Sequence, residues 1–218
     1  MAEQPKPLLV AGADGFGEDL KNVLVEHCRA QGYEVDDLGT GAYYDKAGEV
    51  ARRVQTDGAR GLLFCGTGMG VGIVANRFSG IQAATCENVA AARCSRAIND
   101  SNVLCLGGKV TTPSDARAIC DAWLAQEHGK PPSDPAPDWW SGDVEHFLEN
   151  KWPGVREVED ASRKHGSRRR RGNGVHSARH RRWGVESRPW RGGTRHRRDE
   201  PHVWYVIRTS FEDGAQNS

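Results

Sequence analysis

Short apolar runs alternate along the chain with longer segments in which apolar side chains recur every three or four positions. The runs end near a glycine or a polar turn, as buried parallel strands do, and they occupy residues 7–12, 33–38, 61–65, 81–85 and 102–106. The periodic segments predict helices, the first ending at Gly32 and the others spanning residues 47–57, 71–77, 87–98 and 113–126. This order predicts five β-α units, in which helices cover a parallel sheet on both faces.

The pattern changes after residue 128, so the chain is predicted to have three parts. The α/β domain occupies residues 1–128. Residues 129–162 contain a proline-rich linker (GKPPSDPAPDWW) and a short capped helix over Ser141–Asn150. Residues 163–218 form a basic tail whose RRRR, HRRW and RHRR clusters show no apolar period, so we expect this tail to be disordered.

Charge is distributed unevenly between these parts. Residues 1–162 contain 24 Asp and Glu against 15 Lys and Arg, whereas residues 163–200 contain 3 against 14. The formal net charge of +1 therefore hides an acidic globular part and a basic tail. Basic clusters with interleaved tryptophans can pair with phosphates and stack on bases. A solvated tail is nevertheless the favoured interpretation, with nucleic-acid binding as the alternative.

Cysteine usage and the lengths of the apolar runs indicate a cytoplasmic protein. The six cysteines (28, 65, 86, 94, 105 and 120) include no CxxC pair and no zinc-ligand spacing, which favours reduced thiols. The start, MAEQPKPLLVAGADG, lacks a charged segment followed by a long apolar one, so no signal peptide is expected. No apolar run approaches the ~18 residues that a membrane helix needs.

Candidate chemistry lies in residues 61–77, GLLFCGTGMGVGIVANR. Cys65 ends a buried strand, and the turn that follows it opens a helix near Val71. The amides of a glycine-rich turn and of a helix N-terminus favour negative charge, and the hydroxyl of Thr67 can donate a hydrogen bond. The same surroundings favour a thiolate, so Cys65 can take a proton from a carbon atom next to a carbonyl group.

Two other interpretations of this segment stay open on its residues alone. A Gly-x-Gly-x-Gly turn after a strand is also typical of dinucleotide sites, but here it follows the third strand, and no acidic residue ends the next strand. In the second interpretation, Cys65 is a small buried side chain, and the glycines only allow a helix to pack closely on a strand.

The order of several motifs resembles one family. CGTGMGVGIVANRFSGIQAATC and SRAINDSNVLCLGGKV, preceded by GADGFGEDLK and YEVDDLGT, closely resemble type B ribose-5-phosphate isomerases and galactose-6-phosphate isomerase subunits over about residues 7–126. The resemblance implies a Rossmann-like three-layer sandwich with a five-stranded parallel sheet, and a homodimer with each site at the subunit interface. It also implies aldose–ketose isomerisation of a sugar phosphate, of the ribose 5-phosphate type, through a cis-enediolate and without a cofactor or metal.

The same resemblance implies roles for individual residues. Cys65 matches the base that moves a proton between C1 and C2, with Thr67 and Asp14 as further catalytic residues. Asn99 matches an asparagine that helps to hold a substrate oxygen. Lys109 is a candidate phosphate ligand, against the simpler interpretation of a solvated loop lysine. The remaining substrate-binding residues belong to the anion-binding turn and are Gly66, Gly68 and Gly70.

Two departures from the family pattern concern histidines. Gly15 and Ile98 stand where the family has histidines, the second of which is held to open the sugar ring. No histidine lies between residues 28 and 127, yet ring opening needs a positioned acid or base. Either another group supplies it, or the substrate is already open-chain, or the protein only binds sugar phosphates in a regulatory role. The candidates for that group are Asp14, Glu87, Tyr43 and Tyr44.

The segment after the last core helix also departs from the family. It contains HGKPPSDPAPDWW where the family's phosphate-binding arginines lie, which puts the usual phosphate clamp in doubt. LGTGAYY, AINDSNVL and DWW…DVEHFLEN look similar to the plant-type isomerase-like proteins of the DNA-damage-repair/toleration subgroup. A cupin domain follows in those proteins, whereas no HxH with a following Glu is legible here.

Overall fold

The structure, a computed structural model, describes residues 6–171, with side chains up to residue 161. The strands are β1 (Leu9–Ala13), β2 (Val35–Thr40), β3 (Arg60–Cys65), β4 (Ala83–Thr85) and β5 (Val103–Gly107). The helices are α1 (Glu18–Ala30), α2 (Tyr43–Asp57), α3 (Met69–Ala75), α4 (Val89–Asn99), α5 (Pro113–Ala125), α6 (Gly142–Asn150) and α7 (Trp152–Arg171).

The five strands form one parallel sheet in the order β2-β1-β3-β5-β4. Side chains alternate between the two faces of this sheet. Leu62 and Phe64 of β3 belong to the core shared with α1, α4 and α5, whereas Leu63 and Cys65 belong to the core shared with α2 and α3. The predicted three-layer sandwich with a five-stranded parallel sheet is therefore confirmed.

Two element boundaries differ from the sequence prediction. α2 begins at Tyr43 rather than at residue 47. Ala42 before it is extended, and its carbonyl accepts the amides of Asp45 and Lys46, both at 3.0 Å. β2 begins at Val35 rather than at residue 33, because α1 ends in a turn that consumes the intervening residues. In that turn Gly32 has a φ of 81°, and the Tyr33 amide donates to the Cys28 carbonyl at 3.0 Å.

The C-terminal part of the described chain is more helical than expected. α7 continues to Arg171 and so crosses the predicted boundary at residue 163. Arginine, lysine and glutamate all have good helix propensity, which favours this continuation. The prediction of disorder for residues 172–218 lies outside the described residues. Within residues 6–171, no helix has both the length and the apolar character needed to span a membrane.

A buried ion pair fixes the start of α1 against β2. Lys21 is only 2% exposed, and its Nζ lies 2.5 Å from Oδ2 of Asp37. Burial opposes ionisation of Asp37, but hydrogen bonds from Lys21 and from the Gly39 amide outweigh it and hold the pKa of this carboxyl below its usual value. The pair therefore holds α1 at a defined position on the edge strand.

Gly17 lies where the loop after β1 packs on the end of β3. A Cβ atom at Gly17 would lie 2.5 Å from the carbonyl carbon of Phe64 and 2.7 Å from the nitrogen of Cys65. Because these backbone atoms cannot move aside as a side chain can, we expect Gly17→Ala to lower the free energy of unfolding by about 1–3 kcal/mol.

Gly15, in the same loop, offers the matched control. A Cβ atom there would meet no other atom within 4 Å, so Gly15→Ala should change the free energy of unfolding by less than ~0.5 kcal/mol. Urea denaturation of the two variants and the wild type measures the difference. Equal stability of the two variants would show that the loop does not pack on β3 in this way.

Candidate active site

The connections of the sheet leave a crevice at the carboxyl ends of β1 and β3. From β1 the chain runs through α1 to β2 on one side, and from β3 it runs through α3 to β4 on the other. α1 and α3 lie on opposite faces of the sheet. Ligands of open α/β sheets bind where the connections change direction in this way, so the loops after β1 and β3 define the candidate site.

The loops after β1, β3 and β5 meet at this edge through main-chain contacts. The Gly108 amide donates to the Cys65 carbonyl at 2.8 Å, and the Lys109 amide donates to the Gly66 carbonyl at 2.9 Å. A Cβ atom at Gly108 would lie only 2.3 Å from the carbonyl oxygen of Phe16. The three loops thus pack too closely for side chains to lie between them.

Cys65 lies at the base of the crevice and is 6% exposed. Its Sγ accepts a hydrogen bond from the Gly68 amide at 3.1 Å. Gly68 has a φ of 76°, and a Cβ atom there would lie 2.9 Å from the carbonyl carbon of Leu106. Only glycine fits this position without strain. The amide N–H of Gly68 therefore fixes the position of the Cys65 sulfur at the start of the glycine turn.

The other members of the anion-binding turn surround the start of α3. Thr67 is exposed, and its Oγ1 accepts a hydrogen bond from the Met69 amide at 3.4 Å. Gly66 is half-buried. Gly70 lies under the Tyr43 ring, since a Cβ atom at Gly70 would be 3.3 Å from Tyr43 Cε2. First-turn amides have no partner within a helix, so the turn can offer hydrogen bonds to a substrate oxygen.

Asp14 holds the loop between β1 and α1. Its Oδ1 accepts hydrogen bonds from the Phe16 amide at 2.9 Å and from the Gly17 amide at 3.0 Å. Its own amide donates to the Phe64 carbonyl at 3.1 Å. Asp14 is half-buried at the mouth of the crevice. Its side chain therefore has a structural role in the loop, independent of any chemical role.

Lys109 lies at the rim of the same crevice. Its side chain is exposed, and Nζ lies 5.7 Å from the centre of the Phe16 ring, which is itself 66% exposed. The backbone of Lys109 is fixed by the Gly66 carbonyl, so the ammonium group stays near the glycine turn. A cation at this rim can meet the phosphate group of a substrate.

Asn99 lies at the opposite edge of the sheet. α4 follows the carboxyl end of β4 and runs back along the sheet, so its last residue, Asn99, lies near the amino ends of the strands. The side chain of Gln82, just before β4, lies beside the Asn99 carbonyl. The last residue of β5 pairs with Cys65, and β5 spans about 13 Å from the amino ends to the carboxyl ends of the strands. One chain therefore does not bring Asn99 and Cys65 together.

The same arrangement of sequence and fold occurs in known proteins. Residues 9–133, more than half of the chain, match the sequence profile of the family described as Ribose/Galactose Isomerase. The chain belongs to this family.

Individual relatives agree with the family match. The chain is 41% identical over 145 residues to a DNA damage-repair/toleration protein of Arabidopsis thaliana, covering 65% of this chain but 47%, about half, of that protein's length. It is 41% identical over 125 residues to ribose-5-phosphate isomerase B of Escherichia coli (strain K12). This match covers 54% of this chain and 83% of that protein. The structure of Clostridium thermocellum ribose-5-phosphate isomerase B is similar, with a TM-score of 0.60 and 33% identity. The similarity covers 71% of this chain and 99% of that one.

The two positions that lack the family's histidines differ in their surroundings. Gly15 is exposed, and the space where its side chain would begin is open, so sterics do not explain the glycine. Ile98 is half-buried near the end of α4. Within the chain whose side chains are described, no three His, Cys, Asp or Glu residues gather in a way that could hold a metal ion.

Several residues of the crevice were missed from the sequence. Gly17, Gly107 and Gly108 allow the loops to meet, and Phe16 borders the crevice. The Gly-Gly pair that ends β5 was a usable signal, because two glycines at a strand end indicate close backbone approach. Phe16 carried no such signal, since it lies in a segment without apolar periodicity. Tyr43, which the sequence offered as a candidate for ring opening, packs beside Gly70 at the start of α3.

The structural task of Asp14 can be separated from any chemical one. Asp14→Ala removes the acceptor for two loop amides, so we expect the free energy of unfolding to fall by about 1 kcal/mol. Asp14→Asn keeps an oxygen at the same place and should retain most of that stability. Thermal unfolding of both variants measures this, and equal losses would mean that the loop amides do not depend on the Asp14 oxygen.

Proposed function

We propose that this protein interconverts an aldose phosphate and a ketose phosphate, of the ribose 5-phosphate and ribulose 5-phosphate type, with Cys65 as the base. The observation that carries the proposal is the Cys65 sulfur, nearly buried in the crevice, accepting a hydrogen bond from the amide of a left-handed glycine. The family match and the relatives named as ribose-5-phosphate isomerase B support the reaction class.

The proposed reaction proceeds on the open-chain sugar. The thiolate of Cys65 takes the proton from C2 of the aldose, and the electron pair moves to O1 to give a cis-enediolate. The thiol then returns this proton to C1, while the proton of the C2 hydroxyl passes to O1. The first-turn amides of α3 and the Thr67 hydroxyl are assigned to stabilise the charged oxygen.

We propose that the active unit is a homodimer in which Asn99 of one chain serves the Cys65 of the other. The placement of the two residues at opposite ends of the strands supports this proposal, because one chain does not bring them together. Large apolar side chains around the crevice are exposed and offer a surface for a second chain. They are Phe16, Tyr43, Met69, Ile73 and Val110.

The phosphate group is assigned to Lys109, whose exposed ammonium group lies near the Phe16 ring at the rim of the crevice. Activity is assigned to residues 1–128, with residues 129–162 as linker and helix and residues 163–218 as a basic tail. A cytoplasmic location remains part of this proposal.

A second function deserves a test, because no histidine lies between residues 28 and 127. In this alternative, the protein binds sugar phosphates without converting them. The two functions differ in whether solvent hydrogen enters the carbon skeleton of the sugar, which requires a base and not only a binding site.

Exchange of carbon-bound hydrogen in deuterated buffer tests the proposal. Wild-type protein should introduce deuterium at C2 of ribose 5-phosphate or at C1 of ribulose 5-phosphate, as followed by NMR. Cys65→Ala should reduce the rate by about 10²–10⁴-fold, since it removes the general base. The half-buried Cys94 on α4 supplies the control, and Cys94→Ala should exchange as fast as the wild type. Absence of exchange in the wild type across a panel of pentose and tetrose phosphates would favour the binding function.

Mixing two inactive variants tests the shared site. Cys65→Ala and Asn99→Ala should each lack activity, but a heterodimer of the two contains one site with both native residues. Random subunit exchange at equal concentrations should therefore restore about a quarter of wild-type activity. Size-exclusion chromatography with light scattering checks that dimers are present. Mixed dimers that stay inactive would show that Asn99 does not act across the interface.

A further inference from the structure

The end of α4 is covered by residues from two later parts of the chain. The last carbonyl groups of a helix have no partner within it. In α4 the Ala97 carbonyl accepts the Gly129 amide at 2.9 Å and lies 3.0 Å from Nδ1 of His128. The Ile98 carbonyl accepts a hydrogen bond from Nζ of Lys151. A histidine and a lysine thus lie at the end of α4 where the family pattern has a histidine in the helix itself.

The contact with Ala97 defines the tautomer of His128. A carbonyl oxygen can only accept, so Nδ1 carries the hydrogen, and in the neutral ring Nε2 has a free lone pair. The ring is half-buried and packs edge-on against Trp152, with 5.9 Å between ring centres. Lys151 in turn lies 4.8 Å from the centre of the Trp152 ring. His128 is therefore held in one orientation, in which Nε2 is left to interact with a ligand.

Open space lies next to this histidine. A cavity of about 650 Å³ is lined by polar, charged and aromatic side chains and is large enough for a pentose phosphate. The carboxylates and the ammonium group of this lining offer partners to the hydroxyl and phosphate groups of a sugar phosphate. The lining includes His128, Lys130, Glu145, Glu149 and Trp152.

His128 also lies close to Asn99. Ala97, which His128 contacts, precedes Asn99 by two residues, and a helix rises about 1.5 Å per residue. The imidazole is therefore within about one helical turn of the residue assigned to the shared site.

We propose that His128 is the acid–base residue that opens the sugar ring, in the site that its own Asn99 shares with Cys65 of a second subunit. This rests on the proposed function and assigns the group that the core of the domain lacks. Nε2 of the neutral imidazole takes the proton of the C1 hydroxyl of the furanose. The C1–O4 bond breaks with its electron pair moving to O4, C1 becomes the aldehyde carbon, and the imidazolium returns the proton to O4.

The test compares a cyclic with an open-chain substrate. Ribose 5-phosphate is mainly a furanose, whereas ribulose 5-phosphate cannot close such a ring because its C5 oxygen carries the phosphate. His128→Asn keeps a donor for the Ala97 carbonyl but removes Nε2. We expect it to slow conversion of ribose 5-phosphate by about 10²-fold or more, while deuterium exchange at C1 of ribulose 5-phosphate stays within about twofold of the wild type.

The control is His146→Asn, which changes an exposed histidine on α6 and should leave both rates unchanged. The exchange of ribulose 5-phosphate by the His128 variant also reports that its site is folded. Equal loss on both substrates, or no loss on either, would overturn the assignment of His128. A wild type that exchanges neither substrate would instead overturn the proposed function, and the inference with it.

Discussion

The site depends on direct contact between the backbones of three loops at the carboxyl edge of the sheet. A Cβ atom would lie 2.5 Å from Phe64 if placed on Gly17, 2.6 Å from Thr67 if placed on Gly107, and 2.3 Å from Phe16 if placed on Gly108. Side chains are therefore excluded from these junctions, and main-chain hydrogen bonds join the loops instead. The position of the Cys65 sulfur is consequently set by the backbone, which is the stiffest support that a protein can give a reacting group.

The topology of the sheet divides the predicted site residues into two groups. Asp14, Cys65, Thr67 and Lys109 follow strands, and the carboxyl ends of parallel strands share one edge. Asn99 ends a helix that returns along the sheet, so it must lie at the other edge. No rearrangement of a loop at one edge can bring it to the other, because both edges belong to the same rigid sheet. Within one chain, the β-α-β connection therefore keeps Asn99 apart from Cys65, which is the separation that the proposed dimer would bridge.

The sequence was informative wherever function and fold depend on neighbouring residues. The buried strands, the helices and the Cys65 turn are contiguous segments, and their periodicity and glycines report burial and backbone geometry directly. Contacts between segments that are far apart in the sequence produced no comparable pattern in it. Gly17 and Phe64 meet across β1 and β3, and His128 meets Ala97 through the path that the chain takes after α5.

The structure of the Cys65 site bears on the choice between catalysis and binding. A pocket that only binds a sugar phosphate gains nothing from a thiol, which is a weak hydrogen-bond partner for hydroxyl groups. Here the sulfur is 6% exposed and receives an amide from a glycine with a φ of 76°. Such a conformation restricts position 68 to glycine and limits how the loops pack. A sulfur held in this way by the backbone agrees better with the proposed base than with a pocket that only binds. In that proposal the absent histidines concern ring opening, and the proton transfer at carbon is assigned to Cys65.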